Sequence, residues 1–366
     1  MANRQIGGFI VIVCVFLTVL VLMNYFVLSM HYRFFGIEKN DVFWILLLAA
    51  SFSFFISLLL EMAADNIVFR VIYVLSAVLM GSMFISFFVT LFYTLIMFLF
   101  KIDGFAIGVF SVFTISILIA CSLYNSMRIR VQHVPIHNSK NANLRIVHIT
   151  DLHLGAVYGK NYLKYVVEKV NRLNPNLVLI TGDMLDGKYR YKDDVLTPLN
   201  ELKADSYFVY GNHDYYAGLE FVERLMSKTK VKWLRNERAY FDNIEIVGID
   251  DTSSPRVLGG MLYAMNMHKK IGEKFSILMT HRPVGWMEAA RYVDLMITGH
   301  THAGQIWPFN YLAKLENGAS KGIYRTSANT RFMLYVSPGT GTWGPPMRLG
   351  STTEITVYDI KRENYV

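Results

Sequence analysis

Cysteine is nearly absent from this chain: Cys14 and Cys121 are the only two in 366 residues, and both lie inside apolar stretches. That excludes a disulfide framework and a thiolate metal cluster, and leaves both thiols as inert packing residues. Charged residues are scarce too, at 17%, and the apolar excess is concentrated before about residue 125. Lys and Arg outnumber Asp and Glu for a net charge of +8. They are scattered, without the basic run or aromatic-interleaved stripe of a nucleic-acid binder, so no nucleic-acid partner is expected. A membrane surface or an anionic substrate accounts better for the sign. The C-terminal part shows no internal repeat and no low-complexity segment.

Charge is wholly missing from Ile6 to Met30, a run long enough to cross a hydrocarbon core of about 30 Å. It lacks the small-residue cleavage site of a signal peptide and reads as a retained span. Val42 to Leu60, bounded by Asp41 and Glu61, makes a second span, Val71 to Phe100 a third, and Phe105 to Tyr124 a fourth. The third exceeds what an upright helix requires, so it tilts, projects from the bilayer or bends near Gly81. Spans without Asp, Glu, Lys or Arg give little support to an ion or solute pathway. An even number of spans returns both ends to one side. Arg4, Arg70, Arg128 and Arg130 against Arg33, Lys39 and Lys101 favour the cytoplasm for that side.

Residues 1–124 are therefore expected to form a four-helix transmembrane domain, with the lipid bilayer as a partner. Residues 125–143, polar, basic and punctuated by Pro135, read as a linker or first edge strand near headgroups. Residues 144–366 have the composition of an ordinary α/β domain. Short β-rich runs at Leu144 to Thr150, Leu177 to Thr181, Tyr207 to Tyr210, Ile244 to Ile249, Phe275 to Thr280 and Leu295 to Thr298 predict strands. Phe332 to Val336 and Glu354 to Tyr358 predict two more. Leu163, Val166, Val170 and Leu173 predict a helix over Asn161 to Leu173, stopped by Asn174-Pro175. This alternation argues for a layered α/β fold.

The strands end in metal-capable residues. Asp151 and His153 follow the first, Asp183 the second, and Asn212, His213 and Asp214 the third. His281 and then the pair His300 and His302 follow two later ones. Histidines two apart on an extended segment point to opposite faces, so a bend at Gly299 to Gly304 is needed before both serve one centre. Open α/β folds gather ligands beyond the carboxyl ends of their strands. Oxygen and imidazole donors suit divalent ions of the Mn, Fe, Zn, Ni or Co type. Two such ions with a bridging carboxylate place a hydroxide and polarise a phosphoryl oxygen together. Asp186 and Asp250-Asp251 read as turn residues or as supports behind the ligands, and His148 as a core or supporting histidine. His31, His133, His137 and His268 have no ligand-spaced companions.

Asp151-Leu-His153, Gly182-Asp183, Gly211-Asn-His-Asp214, His281 and Gly299-His-Thr-His302 resemble, in order, the blocks of the calcineurin-like metallophosphoesterase superfamily. Gly-His-Thr-His-Ala-Gly-Gln-Ile and the later Tyr-Val-Ser-Pro-Gly-Thr-Gly-Thr resemble its membrane-associated bacterial YkuE-like or YaeI-like branch. The resemblance implies two mixed β-sheets packed face to face with helices outside, and a metal-dependent phosphoester hydrolase in a bacterial inner membrane. It implies one ion on Asp151, His153, Asp183 and His302, and another on Asp183, Asn212, His281 and His300, with Mn favoured. His213 would donate a proton to the leaving oxygen and Asp214 would orient it. No ligand position of the pattern is missing.

The substrate is less defined. Gln305 to Leu312 and the Met-rich stretch Val257 to Met267 are apolar loops that accept acyl chains, dip into a membrane interface, or simply pack. Arg348, near the expected rim, contacts a phosphate or forms a surface salt bridge. A lipid-linked phosphoester or pyrophosphate is the leading expectation. The alternatives are a soluble phosphodiester or nucleotide, with the membrane part as anchor, and a non-enzymatic membrane sensor that uses the fold for binding.

Overall fold

The computed structural model describes residues 2–64, 66–138, 140, 142–187, 192–265 and 274–362, with residues 2–10 and 12 described by backbone alone. Asn266 and Met267 of the Met-rich stretch, His268, and Ser139 and Asn141 of the 125–143 stretch lie outside the described residues. Two compact units result: residues 1–124 with 345–347, and residues 125–344 with 348–366.

The first unit consists of helices α1 (Ala2–Phe34), α2 (Asp41–Ala63), α3 (Ile67–Phe100) and α4 (Gly104–Met127). All four are long and apolar enough to cross a membrane. In α3 the long uncharged run forms one unbroken helix through Gly81. Some of the polar groups that face inward are paired across helices, as a medium without water favours. Asn24 donates to Ser51 Oγ at 3.0 Å, and the Ser57 and Ser76 hydroxyls meet at 2.6 Å. Glu61 and Arg70, expected to lie outside the spans, fall inside α2 and α3 and face each other at 4.0 Å. Helices at this point thus carry a charge pair that the apolar runs alone did not reveal.

The second unit is a four-layer sandwich. Its strands are β1 (Arg130–Asn138), β2 (Leu144–Ile149), β3 (Leu177–Thr181), β4 (Asp205–Val209), β5 (Lys232–Trp233), β6 (Glu237–Phe241), β7 (Ile244–Gly248), β8 (Phe275–Met279), β9 (Leu295–Thr298), β10 (Gly322–Thr326), β11 (Asn329–Val336) and β12 (Glu354–Arg362). Its helices are α5 (Lys160–Arg172), α6 (Asn212–Ala217), α7 (Leu219–Met226), α8 (Pro255–Ala264), α9 (Trp286–Ala289) and α10 (Phe309–Asn317). One six-stranded sheet runs β1-β12-β2-β3-β4-β5 and the other β10-β11-β9-β8-β7-β6. Both are mixed: β2 to β5 are parallel with β12 antiparallel to β2, while β7, β8, β9 and β11 are parallel, with β6 and β10 antiparallel at the edges. Arg130–Asn138 is the edge strand of the first sheet, parallel to β12.

The period-2 side-chain alternation of strands builds three apolar layers from near-continuous hydrophobic runs. Ile146, Leu177 and Leu179 of the first sheet meet Ile246, Ile277 and Ile297 of the second between the sheets. Val147, Ile149, Val178 and Ile180 point outward onto Leu163, Val166 and Val170 of α5. Val247, Leu278 and Met296 point outward onto Leu258 and Leu262 of α8.

His148 interrupts this packing. It is fully buried, with Nε2 2.7 Å from Thr181 Oγ1 and Nδ1 3.1 Å from the Tyr358 hydroxyl. Burial pushes its pKa down from 6.5 to about 3. The unfolded chain therefore binds a proton that the folded chain refuses. This contribution is fully present above pH 6.5 and is lost as pH falls towards 3, at up to about 1.4 kcal/mol per pH unit. In urea melts of the detergent-solubilised chain between pH 7 and pH 5, His148→Asn should show a shallower loss of stability than wild type. Parallel pH dependences would rule this account out.

Candidate metal centre

The parallel strands of both sheets point their carboxyl ends at one edge, and every block singled out in the sequence sits there. Asp151 and His153 follow β2, Asp183 follows β3, Asn212 opens α6 after β4, His281 follows β8, and His300 and His302 follow β9. The expected bend exists: after β9 the chain passes through a turn in which His300, His302 and Ala303 all have positive φ. Asp151, His153 and Asp183 are left-handed as well, with φ between 44° and 53°. Such strain at non-glycine residues persists only where surrounding contacts over-determine it.

Glycine recurs beside these residues because there is no room for a Cβ. One added at Gly299 would stand 2.1 Å from Asp151 Oδ2, and one at Gly211 would stand 2.2 Å from Asp183 Oδ1. The carboxylates are thereby clamped against backbone. The His300 amide donates to both oxygens of Asp151 at 3.0 and 3.1 Å, and the His213 amide donates to Asp183 Oδ1 at 2.8 Å.

Three groups of donor atoms converge: Asp151, His153 and His302, all buried; His153, Asp183 and the half-buried His213; and Asp183, His281 and the half-buried His300, each set within 4.8 Å of one another. His153 Nε2 and His302 Nε2 are 2.9 Å apart, and His302 Nε2 is 3.5 Å from Asp151 Oδ1. On the other side His281 Nε2 lies 3.1 Å from Asp183 Oδ2 and 3.3 Å from His300 Nδ1. Asp183 Oδ2 is also 3.6 Å from His153 Nε2, so this carboxylate stands between the two clusters. His281 donates its other nitrogen to the Thr181 carbonyl at 2.8 Å, which fixes the ring with Nε2 toward the cluster.

Burial and charge divide the imidazoles. Burial lowers His281, but the Asp183 carboxylate outweighs it and raises its pKa to about 10. Asp183 is driven the other way: burial is overcome by the His281 charge, and it lies well below the usual carboxylate range. His300 is pushed down to about 2 by burial and by His281, and His302 well below its ordinary value by burial and by His153. Neutral rings of this kind are competent donors. Asn212 Oδ1 is buried and has no hydrogen-bond partner among the described residues. An orphaned carbonyl oxygen on the residue before His213, whose amide is held by Asp183, fits a hard-to-borderline divalent cation.

Two expectations need correction. Asp214 does not touch His213. Its Oδ1 accepts from the Met184 and Leu185 amides at 3.1 and 3.2 Å and its Oδ2 from the Gly211 amide at 2.9 Å, so it ties the β3 and β4 ends together. Burial and the Asp183 charge raise its pKa to about 7. The carboxylate that faces His213 is Asp186, whose Oδ1 lies 3.3 Å from His213 Nδ1 and 3.5 Å from His153 Nδ1. Arg348, expected at the rim, is fully buried and forms no surface salt bridge. His213 itself lies edge-on to two half-exposed rings, Tyr216 at 5.3 Å and Trp343 at 5.8 Å.

Residues 144–304 match the Calcineurin-like phosphoesterase family. An uncharacterized metallophosphoesterase of Campylobacter jejuni is 34% identical over 255 residues, covering 67% of each chain. The chain belongs to the calcineurin-like metallophosphoesterase family. Other metallophosphoesterase relatives include an uncharacterized protein of Helicobacter pylori (strain J99), 32% identical over 65% of each chain. A Danio rerio protein described as a transmembrane protein with metallophosphoesterase domain is 37% identical, covering 60% of this chain and 53% of that one. The chain thus spans 65% of the length of the Helicobacter relative and about half of the zebrafish one. With its four apolar helices, it is a membrane protein carrying a metallophosphoesterase domain.

Proposed function

We propose that the chain is a membrane-anchored hydrolase of phosphoester or pyrophosphate bonds, working through two divalent ions. The observation that carries this reading is the convergence of Asp151, His153, Asp183, His213, His281, His300 and His302, from five strand ends, in three overlapping groups, with Asp183 Oδ2 close to both His153 and His281. Asp151, His153, Asp183 and His302 would hold one ion, and Asp183, Asn212, His281 and His300 the other. Bound there, the pair supplies Lewis acidity for a phosphoryl oxygen and acidifies water to a nucleophile. The protein's own part is to hold these donors in strained, over-determined positions and to bring a proton to the leaving oxygen from His213, with Asp186 behind it. The catalytic unit is proposed to face the cytoplasm of a bacterial inner membrane, on the Arg and Lys imbalance across the spans.

Within that reading we favour a lipid-linked substrate. Support comes from α10, which begins seven residues after His302 and has no buried residue. Tyr311, Leu312 and Leu315 are 65%, 58% and 83% exposed, a stripe suited to an acyl chain or a headgroup boundary. A Cβ at Gly304 would stand 2.1 Å from the Asn310 amide, so the first turn of α10 packs directly on the His302 turn. A second reading, a soluble nucleotide, is favoured by the half-exposed Tyr216 and Trp343 rings beside His213, which suit a planar leaving group.

Purified protein in detergent with Mn should be assayed on lipid-linked pyrophosphates beside soluble phosphodiesters and nucleotides, with Asn212→Ala as control. Turnover of a lipid-linked member, lost in the control, is the expected result. The double variant Leu312→Ser, Leu315→Ser should then raise KM for that substrate about tenfold or more, given ~1.5–3 kcal/mol per buried leucine, and spare any soluble ester. Turnover confined to soluble nucleotides supports the second reading, and bound metal without turnover of any member supports a binding role.

A further inference from the structure

Arg348 is the largest fully buried side chain among the described residues. No carboxylate pairs with it among the described residues; its guanidinium is surrounded by the backbone that carries the candidate ligands. Nη1 donates to the His302 carbonyl at 2.7 Å, and to Ser351 Oγ at 3.4 Å. Nη2 donates to the Gly341 carbonyl at 2.6 Å and lies 3.2 Å from His302 Nδ1. Ser351 Oγ in turn donates to the Gln305 carbonyl at 2.7 Å. The guanidinium fork therefore joins both ends of the His302–Gln305 turn to the loop after β11.

That turn needs a brace. His302, Ala303 and Gln305 have φ of 48°, 52° and 53°, three non-glycine residues with positive φ within four positions. Each such residue costs on the order of 1–3 kcal/mol unless contacts hold it. Gly341 is itself locked, its amide donating to the Asp151 carbonyl at 2.8 Å, and a Cβ on it would stand 2.3 Å from the Leu152 carbonyl oxygen. A Cβ at Gly339 would crowd Asp151 Cβ at 2.9 Å and both Arg348 Nη2 and His302 Nδ1 at 3.4 Å. The space behind Asp151 and His302 is thus shaped around a guanidinium. A planar fork reaches two carbonyls at once where a lysine ammonium reaches them one at a time.

We propose that Arg348 is a positioning residue for the metal pair, its fork holding the left-handed turn that presents His302 to His153 and Asp151. The proposal rests on the dinuclear reading above. It assigns Arg348 to one ion only, because the cluster of Asp183, His281 and His300 draws nothing from the His302–Gln305 turn.

The test is Mn titration calorimetry on the full chain in detergent, comparing wild type with Arg348→Lys and Arg348→Met, and with melting curves recorded in EDTA. Wild type should take up two ions. Both variants should weaken one of the two by about 10–100-fold, the range for partners that orient a ligand, and leave the other unchanged. The spin coupling of the Mn pair seen by electron paramagnetic resonance should be lost in parallel. Arg348→Lys with both affinities at wild-type values overturns the proposal, and so does equal weakening of the two sites. If both Arg348 variants fail to fold, Ser351→Ala serves in their place and should weaken the same single site more mildly; unchanged affinities there overturn the proposal. Wild type that binds no ion overturns the dinuclear reading itself, and the role of Arg348 with it.

Discussion

Replacing Asp183 by alanine should abolish hydrolysis of whichever phosphoester the chain turns over, with kcat/KM falling by about 10³-fold or more, some 4 kcal/mol of transition-state stabilisation. The size of the effect follows from position. One oxygen of this carboxylate serves both clusters, at 3.1 Å from His281 Nε2 and 3.6 Å from His153 Nε2. The other accepts the amide of His213, so its loss also frees the start of α6. Alanine therefore removes a shared donor, one negative charge and an anchor for the proposed acid. Asp183→Asn separates these, since it keeps an oxygen for the His213 amide but not the charge. Mn uptake should fall below two ions in both variants, whereas the drop in rate should be smaller in Asn than in Ala. Far-UV circular dichroism should be unchanged, because Asp183 belongs to none of the three apolar layers. Activity within tenfold of wild type in Asp183→Ala would remove the basis for a bridging carboxylate.

The order of the candidate blocks that the structure brings together, and most of the strands that carry them, were legible in the amino acids. Buried strands such as Leu177–Thr181 and Leu295–Thr298 are apolar on both faces, and a polar residue at the end of such a run is conspicuous. Edge strands give no such contrast. Glu237–Phe241 has no fully buried residue, and Arg130–Asn138 alternates only in its second half, so the first escaped notice and the second read equally as a linker.

Side-chain direction was the other gap. Asp214 adjoins His213 in sequence, yet on a helix neighbours at i and i+1 do not face each other. Asp214 turns back to the strand ends, and the carboxylate that meets His213 comes from Asp186 on another loop. Nothing in the local pattern distinguishes those two aspartates. Arg348 is separated from His302 by 46 residues, and an isolated arginine in a Gly-Pro-Pro-rich stretch reads as surface. The exposed stripe on α10 was visible as apolar composition, but whether it is packed or open depends on tertiary neighbours.

The sharpest test of the proposed acid is a change in leaving group. His213→Asn should lower kcat/KM by about 10²–10⁴-fold on an ester whose leaving oxygen is a poor one, such as an alkyl alcohol. On a p-nitrophenyl ester, whose leaving group departs without a proton, the same variant should lose far less. A general acid acts in proportion to the charge that develops on the leaving oxygen, so the slope of log kcat/KM against leaving-group acidity should steepen in the variant. Asp186→Asn should steepen it in the same direction but less, since that carboxylate reaches the leaving oxygen only through the His213 ring at 3.3 Å, while any loss through its other neighbour, His153 Nδ1 at 3.5 Å, should be the same for good and poor leaving groups. Asp214→Asn should lower stability, because its oxygens accept three backbone amides, and should leave the slope alone. Equal losses on good and poor leaving groups in His213→Asn would make the ring a phosphate-binding group. A steeper slope in Asp214→Asn with none in Asp186→Asn would mean that the proton path runs along the chain neighbour, against the geometry of the site.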